Sequence, residues 1–182
     1  MMTKTLRSFF ILATMTFAAS AIAASGWKID EEANKALEVF KDEISGSQVF
    51  LDQSAGYLIF PKVYKVGIGI GVESGEGALR IGGKTVDYYR TTSGSIGFQL
   101  GAQAKSVIIV FMTEASLNKF RNSEGWKVGV DGSVALVDVG AGKAIDTNNI
   151  KDPVVGFIFG AKGLMYNLTL EGSKISKLDK SD

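Results

Sequence analysis

Four lysines stand beside breaks in the chain. Lys62 and Lys65 follow Pro61, Lys143 follows Gly142, and Lys162 precedes Gly163. Lysines next to glycine-rich turns, with backbone N–H groups left open by those turns, suit phosphate groups. If the sheet curls so that these loops share one end, the four cations converge on one anionic surface. The opposite reading is four unrelated solvated lysines.

Other chemistry finds less support. Asp87, Glu114, Asp131 and Asp138 are candidates for paired carboxylates in acid/base work. Nothing in their spacing marks two of them for one site, so they read as turn, cap or surface groups. No loop carries closely spaced acids of the calcium-binding kind. Gly67, Gly69 and Gly71 run on to Ser74, which is the spacing of a strand face and not of a dinucleotide loop. Gly142-Lys143 lacks the glycine a phosphate loop needs at 137, where Val137 stands, and has Ala144 where that loop needs Ser or Thr. There is no histidine and no cysteine. That removes the usual general base, the usual zinc ligands, thiol chemistry, disulfides and a Ser-His-Asp triad. A non-enzymatic protein with no cofactor and no metal is expected.

The first 23 residues read as a secretory leader: Lys4 and Arg7 lead, Phe9 to Ala19 is apolar, and Ala21-Ile22-Ala23 is a small-x-small cleavage pattern. The expectation is export to the periplasm or the outer-membrane periphery, with residues 24–182 as one domain. Asn167-Leu168-Thr169 matches a glycosylation sequon, which a bacterial-type leader makes idle. Removal of the leader takes two of 20 basic residues and leaves 18 − 19 = −1. A chain so near neutrality is not a general nucleic-acid binder.

The elements that must position the lysines centre on Gly56 to Gly71, GYLIFPKVYKVGIGIG. Tyr57 to Phe60 reads as a strand, Pro61 as a break, and Val66 to Val72 as a second strand with branched residues on one face and glycines on the other. A bare glycine face requires a close neighbour or a bend. Upstream, a helix from about Glu31 to Ile44 with Asp30 as N-cap carries the stripe Ala33, Ala36, Leu37, Phe40 and Ile44. That stripe fits docking on a core better than lying on a membrane, because Glu38, Asp42 and Glu43 mix acids into the polar face. Ser47 to Ser54 adds a turn or two of helix. Ser74 to Gly77 reads as a turn, and Gly82-Gly83 as a hairpin between Ala78–Ile81 and Lys84–Arg90. Ser95–Gln103 alternates again, and Val107–Met112 reads as a buried central strand. Thr113 caps a short helix, Glu114–Arg121. Val128–Val139, with a bend at Gly132, then Val154–Phe159, Leu164–Leu170 and Lys174–Leu178 close the sheet. The fold class is α+β: a single, strongly curled antiparallel sheet or partly closed barrel, with an N-terminal amphipathic helix and a short internal helix.

Four blocks in order, AGYLIFPKVYKVGIGIG, GSIGFQLGAQAKSVIIVFM, KVGVDGSVALVDVGAGK and AKGLMYNLTLEGSKI, resemble the SYLF lipid-binding domain family over roughly Ala33 to Ile175. The resemblance places the family's phenylalanine-proline break on Phe60-Pro61, its lysine on Lys65 and its glycine ladder on Gly67, Gly69 and Gly71. The family's G-x-Q-x-G-x-Q strand falls on Gly97 to Gln103, its glycine loop with a cation on Gly140, Gly142 and Lys143, and its closing segment on Gly163 to Ser173. It implies an exported bacterial protein of a family whose eukaryotic members bind anionic lipids, some of them also actin. Tyr89 to Ser93 departs from the family's Trp-Ser-x-Pro, Ala141 stands for a proline and Lys143 for an arginine. There is no cysteine for an N-terminal lipid anchor. Actin is not carried over to an exported bacterial protein. The expected partner is an anionic phospholipid or membrane surface, met by Lys62, Lys65, Lys143 and Lys162. The alternative is a structural or protein-interaction module of the periplasm without lipid affinity.

Overall fold

In the computed structural model the described residues are 25–138, 151–162, 170 and 172–180. The leader, the glycine loop with Lys143 and the strand expected at 164–169 lie outside them. Nearly everything else is arranged around one long hairpin. β1 (Gly56–Ile81) and β2 (Lys84–Phe111) pair antiparallel from Gly56 opposite Phe111 to Ile81 opposite Lys84. The turn between them is Gly82-Gly83, with φ of 57° and 77°, a left-handed conformation that glycine adopts without a Cβ penalty.

The hairpin does not run straight. It folds back so that the second half of β1 crosses its first half. A Cβ on Gly77 would lie 2.2 Å from the carbonyl oxygen of Ile59, and one on Gly75 would lie 2.5 Å from that of Lys62. Ser74–Gly77 is therefore strand and not the turn its composition suggests. Its glycines are spaces for crossing backbone. The bend lies between, where a Cβ on Gly67 would strike the Gly71 Cα at 2.4 Å. Two extra residues of β2 open the register there, between the pairs Ile68–Leu100 and Ile70–Ile96. The bare glycine face thus has both a bend and a close neighbour.

Pro61 does not end the strand either. It sits in a one-residue bulge, between the pairs Phe60–Val107 and Val63–Lys105. A bulge tolerates a missing N–H, and the Pro61 carbonyl accepts a 2.8 Å hydrogen bond from Ser106 Oγ.

β2 has β1 along one edge and two strands sharing the other. β6 (Lys174–Leu178) pairs with Tyr88–Thr92, and β5 (Val154–Lys162) pairs with Ala104–Phe111. β3 (Trp126–Lys127) extends the sheet beyond β6, and β4 (Ala135–Asp138) extends it beyond β5. The β4–β5 pair is parallel, so the sheet is mixed where an antiparallel one was expected. The strand foreseen over Val128–Val139 is interrupted by a turn in which the Gly129 amide donates to the Gly132 carbonyl at 2.9 Å.

Two cores lie on the two faces of this curled sheet. The inner one, between the arms of the folded hairpin, holds Leu58, Phe60, Val63, Leu79, Tyr89 and Ile109. It is closed at its rim by Leu117 and Phe120 of α3 (Glu114–Arg121), whose N-cap Thr113 accepts from the Ser116 amide as foreseen. The outer core lies under α1 (Gly26–Glu43) and α2 (Ser47–Gln53), where Ile29, Ala33, Leu37, Phe40 and Phe50 meet Ile59, Ile108, Val110 and Phe157. The run Val107–Phe111 feeds both cores alternately and is buried on both faces, as its unbroken apolar sequence requires. Phe40 stacks against Phe157 and Phe159 at 5.0 and 5.3 Å.

α1 begins at Gly26, a turn earlier than the sequence suggests, because Asp30 is not its cap. The Asp30 carboxylate instead accepts from Thr85 Oγ1 at 2.6 Å and the Tyr88 hydroxyl at 2.8 Å. The buried Arg80 guanidinium lies 3.8 Å from it. One end of α1 is thereby tied to the turn-proximal arm while Phe40 is tied to the other arm. The apolar stripe of α1 is consumed by the core, so it presents no lipid-facing stripe.

Candidate functional site

The bulge at Pro61–Lys62 decides which side chains reach the outside. Leu58 and Phe60 point into the inner core. With an unbroken period of two, Val66, Ile70 and Val72 would follow them inward. The extra residue inverts the phase. Val63 turns inward in its place and Glu73 and Leu79 continue that inner row, all buried, while Tyr64, Val66, Ile70 and Val72 turn outward. These four are 52%, 54%, 71% and 57% exposed. They form an apolar row on the convex side of the bend, roughly 26 Å long if straight at about 3.3 Å per residue. The outer face on either side of the bend is covered by α1, over Ile59 at one end and over Ala78 at the other. The bend itself is left bare.

Charge is arranged around this row. Lys62 Nζ lies 2.7 Å from the Glu32 carboxylate of α1, and this hydrogen bond holds the Lys62 pKa above its ordinary value. Lys65 is half-buried and has no acidic partner among the described residues. Lys105 and Glu73 form a buried 2.5 Å pair between the two arms, which fastens the folded hairpin from inside. Burial acts to raise the Glu76 pKa, but bonds from Arg90 and Lys180 outweigh it and hold the carboxyl below its usual range. Glu32, Glu73 and Glu76 are thus each matched by a cation, while Glu43 of α1, which lines a groove with Tyr64, has no ion pair among the described residues.

The register also places Lys162 by its backbone. It pairs with Ala104, which pairs with Tyr64, so the three positions cross the sheet in one line. Two strand spacings put Lys162 roughly 10 Å from Tyr64. Positions 62, 65 and 162 thus share one end of the sheet. Lys143 lies outside the described residues.

Among the described side chains the candidate carboxylates Asp87, Glu114 and Asp131 stand in separate places. Asp87 is held by Arg121 at 3.2 Å and Lys177 at 2.5 Å, tying α3 and β6 to β2. Asp131 accepts the Lys127 amide at 2.6 Å in a turn, and Glu114 is exposed in the first turn of α3. Asp138 ends β4. Among the described residues no three His, Cys, Asp or Glu side chains are placed to hold a metal ion, and no helix is long and apolar enough to cross a membrane. The gap in the inner core beside Phe60, Glu73 and Ile109 measures about 10 Å³, room for one water at most and not for an acyl chain. Whatever this part of the molecule binds, it binds on the outside.

Sequence reasoning put the branched residues on one face and the glycines on the other, and Val66, Ile70 and Val72 do share the outward face; the side chain of Ile68 lies outside the description. It did not find the row as a surface, because the deciding bulge has only Pro61 as its signal. It also missed Glu32 as the partner of Lys62, 30 positions away.

Among characterised proteins, none matches the chain. A family model described as Ysc84, Las17-binding protein actin regulator, matches residues 92–182. That span starts within β2 and takes in the second arm of the hairpin with every later strand. The match covers half of the chain, which belongs to the Ysc84 family, whose domain is the SYLF domain.

Proposed function

We infer that this chain is a non-enzymatic lipid-binding domain of the cell envelope, exported through its leader, that contacts anionic head groups. The observation that carries the reading is the bare apolar row Tyr64, Val66, Ile70 and Val72 with the exposed Lys62 at its Tyr64 end, where the backbone positions of Lys65 and Lys162 also stand. Lys62, exposed beside Tyr64, is the head-group contact at the row, its charge partly taken by Glu32, and Lys65, Lys143 and Lys162 complete the proposed set of cations. Each cation near an anionic leaflet adds about 1 kcal/mol.

The test is flotation of the purified protein with neutral and with anionic vesicles across a salt series. Retention on anionic vesicles that declines with salt is expected, with the Lys65→Gln/Lys62→Gln double variant losing most of it. Equal retention of wild type and the Lys65→Gln/Lys62→Gln double variant would remove the head-group reading. A second reading has its own support: the ion pairs around the row leave little net field, which favours a protein-interaction module of the envelope. The description of the family as Las17-binding fits that class of function. Reproducible capture of one envelope protein, with no retention on any vesicle, would favour it.

A further inference from the structure

The lysines alone make a poor membrane anchor. Lys62 is matched by Glu32, Lys105 by Glu73, and Glu76 by Arg90 and Lys180. What is left unmatched beside the bend is the charge of Lys65, and one or two cations give only a weak, salt-sensitive attachment. The apolar row is the larger unexplained feature. Four large apolar side chains on one face of one strand, all more than half exposed, are costly in water.

We propose that the bend of the long hairpin is a wedge that enters the bilayer interface, with Tyr64, Val66, Ile70 and Val72 in the acyl boundary and the exposed Lys62, which lines one groove with Tyr64 and Val66, at the phosphate level. This rests on the lipid-binding reading and gives it a mechanism. The partner is an anionic bilayer, for three reasons present in the molecule. The row stands on the convex side of a bend, so it can press into a fluid plane. Of the acids near the row, Glu32, Glu73 and Glu76 are each held by a cation, which leaves the exposed Glu43 of α1, at the Tyr64 end, as the acid without an ion pair among the described residues. Tyr64 stands at the Lys62 end of the row, and a tyrosine suits an interface because its ring is apolar and its hydroxyl polar. α1 buries its own apolar stripe, so the row takes the role that an amphipathic helix plays in other peripheral proteins.

The fold makes such a wedge rigid. Backbone crosses backbone behind it at Gly75 and Gly77, and the Lys105–Glu73 pair locks the arms. Insertion therefore demands little ordering of the chain.

The experiment places a tryptophan in the row. Ile70→Trp, made in a Trp27→Phe background, leaves the buried Trp126 as a constant signal. The probe is a vesicle of phosphatidylcholine and phosphatidylglycerol with brominated acyl chains. The expected result is quenching of the new indole and a blue shift of its emission, with a depth of roughly 5–10 Å below the head groups. In the native background, Ile70→Ser/Val72→Ser weakens vesicle binding at least about tenfold, equal to about 1.4 kcal/mol. Val72→Trp replaces Ile70→Trp if that variant melts early.

Retained binding without quenching, or unchanged binding of the double serine variant, overturns the wedge and leaves head-group binding standing. Failure of the wild type to bind any vesicle overturns both. A wild-type dimer in light scattering that Ile70→Ser converts to monomer also overturns the wedge, because a second copy then covers the row.

Discussion

Replacing Gly77 with alanine reads the folded hairpin directly. A new Cβ there would lie 2.2 Å from the Ile59 carbonyl oxygen, 2.6 Å from Phe60 Cδ1 and 2.9 Å from the Ile59 carbonyl carbon. An ordinary contact needs about 3.4 Å, so backbone must retreat by roughly 1.2 Å. Ile59 has little freedom to retreat, since it is paired with Ile108 and buried in the outer core. Overpacking that displaces backbone costs at the upper end of about 1–3 kcal/mol, or more. Taking 3 kcal/mol and a shift of about 2–4 °C per kcal/mol for a domain of this size, the melting temperature falls by roughly 6–12 °C. In a straight, open hairpin the same change would stabilise by about 0.5–1 kcal/mol, because alanine outranks glycine in a strand. The sign of the effect therefore tests the architecture. Gly94→Ala is the control, with nothing within 4 Å of its added Cβ, and is expected to be neutral or slightly stabilising. Thermal melts followed by circular dichroism, with urea titration as a second measure, suffice. A Gly77→Ala protein melting within 2 °C of wild type would refute the crossing of the two halves of β1.

Burial pushes the Tyr89 phenol up to about 12, with the Asp87 charge adding to it. Its folded pKa lies above its unfolded one, so its contribution is complete below pH 10 and is lost as pH rises toward 12. The loss is about 3 kcal/mol at most, and an ultraviolet titration should show one tyrosine ionising two units late and together with unfolding. Lys105→Met leaves the Glu73 carboxylate buried without its cation and should cost about 3–5 kcal/mol in urea denaturation. Lys105→Met/Glu73→Leu should recover most of that, and a single variant losing under 1 kcal/mol would show that the pair does not fasten the arms. Asp30→Ala takes the acceptor from Thr85 and Tyr88 and the counter-charge from Arg80, so a loss of about 3 kcal/mol is expected. Early hydrogen exchange in α1, ahead of the sheet, is the accompanying signature.

Features encoded by short-range chemistry were readable in the sequence. Gly82-Gly83 marks the turn, Thr113 the cap, and the unbroken run at Val107 a strand buried on both faces. Lys174–Leu178 appears with the bounds expected. Features encoded by distant neighbours were not. Gly75 and Gly77 carry turn composition, yet they are strand residues made small by the backbone of Lys62 and Ile59, 13 and 18 positions earlier. Asp30 has cap chemistry, but partners more than 50 positions away claim its carboxylate. The parallel β4–β5 pair has no local mark, because strand direction is set by the path between strands. At the candidate site, the alternation of glycine and branched residues was plain in the sequence. Its direction was not, because one bulged residue reverses which face meets water. The convergence of four lysines stays an expectation: the backbone positions of 62, 65 and 162 lie near one another, and Lys143 lies outside the described residues.

The arrangement around β2 also orders events in time. The two strands of the hairpin are contiguous in sequence, so pairing can start at Gly82-Gly83 and zip outward, each step closing only a short loop. The last pair, Gly56 with Phe111, would be expensive to close first and is cheap to close last. β6 attaches to the turn-proximal stretch Tyr88–Thr92, and β5 to the turn-distal stretch Ala104–Phe111. The extreme C-terminal strand thus has its dock ready before the strand that precedes it. Pulsed hydrogen exchange during refolding should find Tyr88–Thr92 protected ahead of Val107–Phe111, so the chain assembles from the middle of its sequence toward both ends.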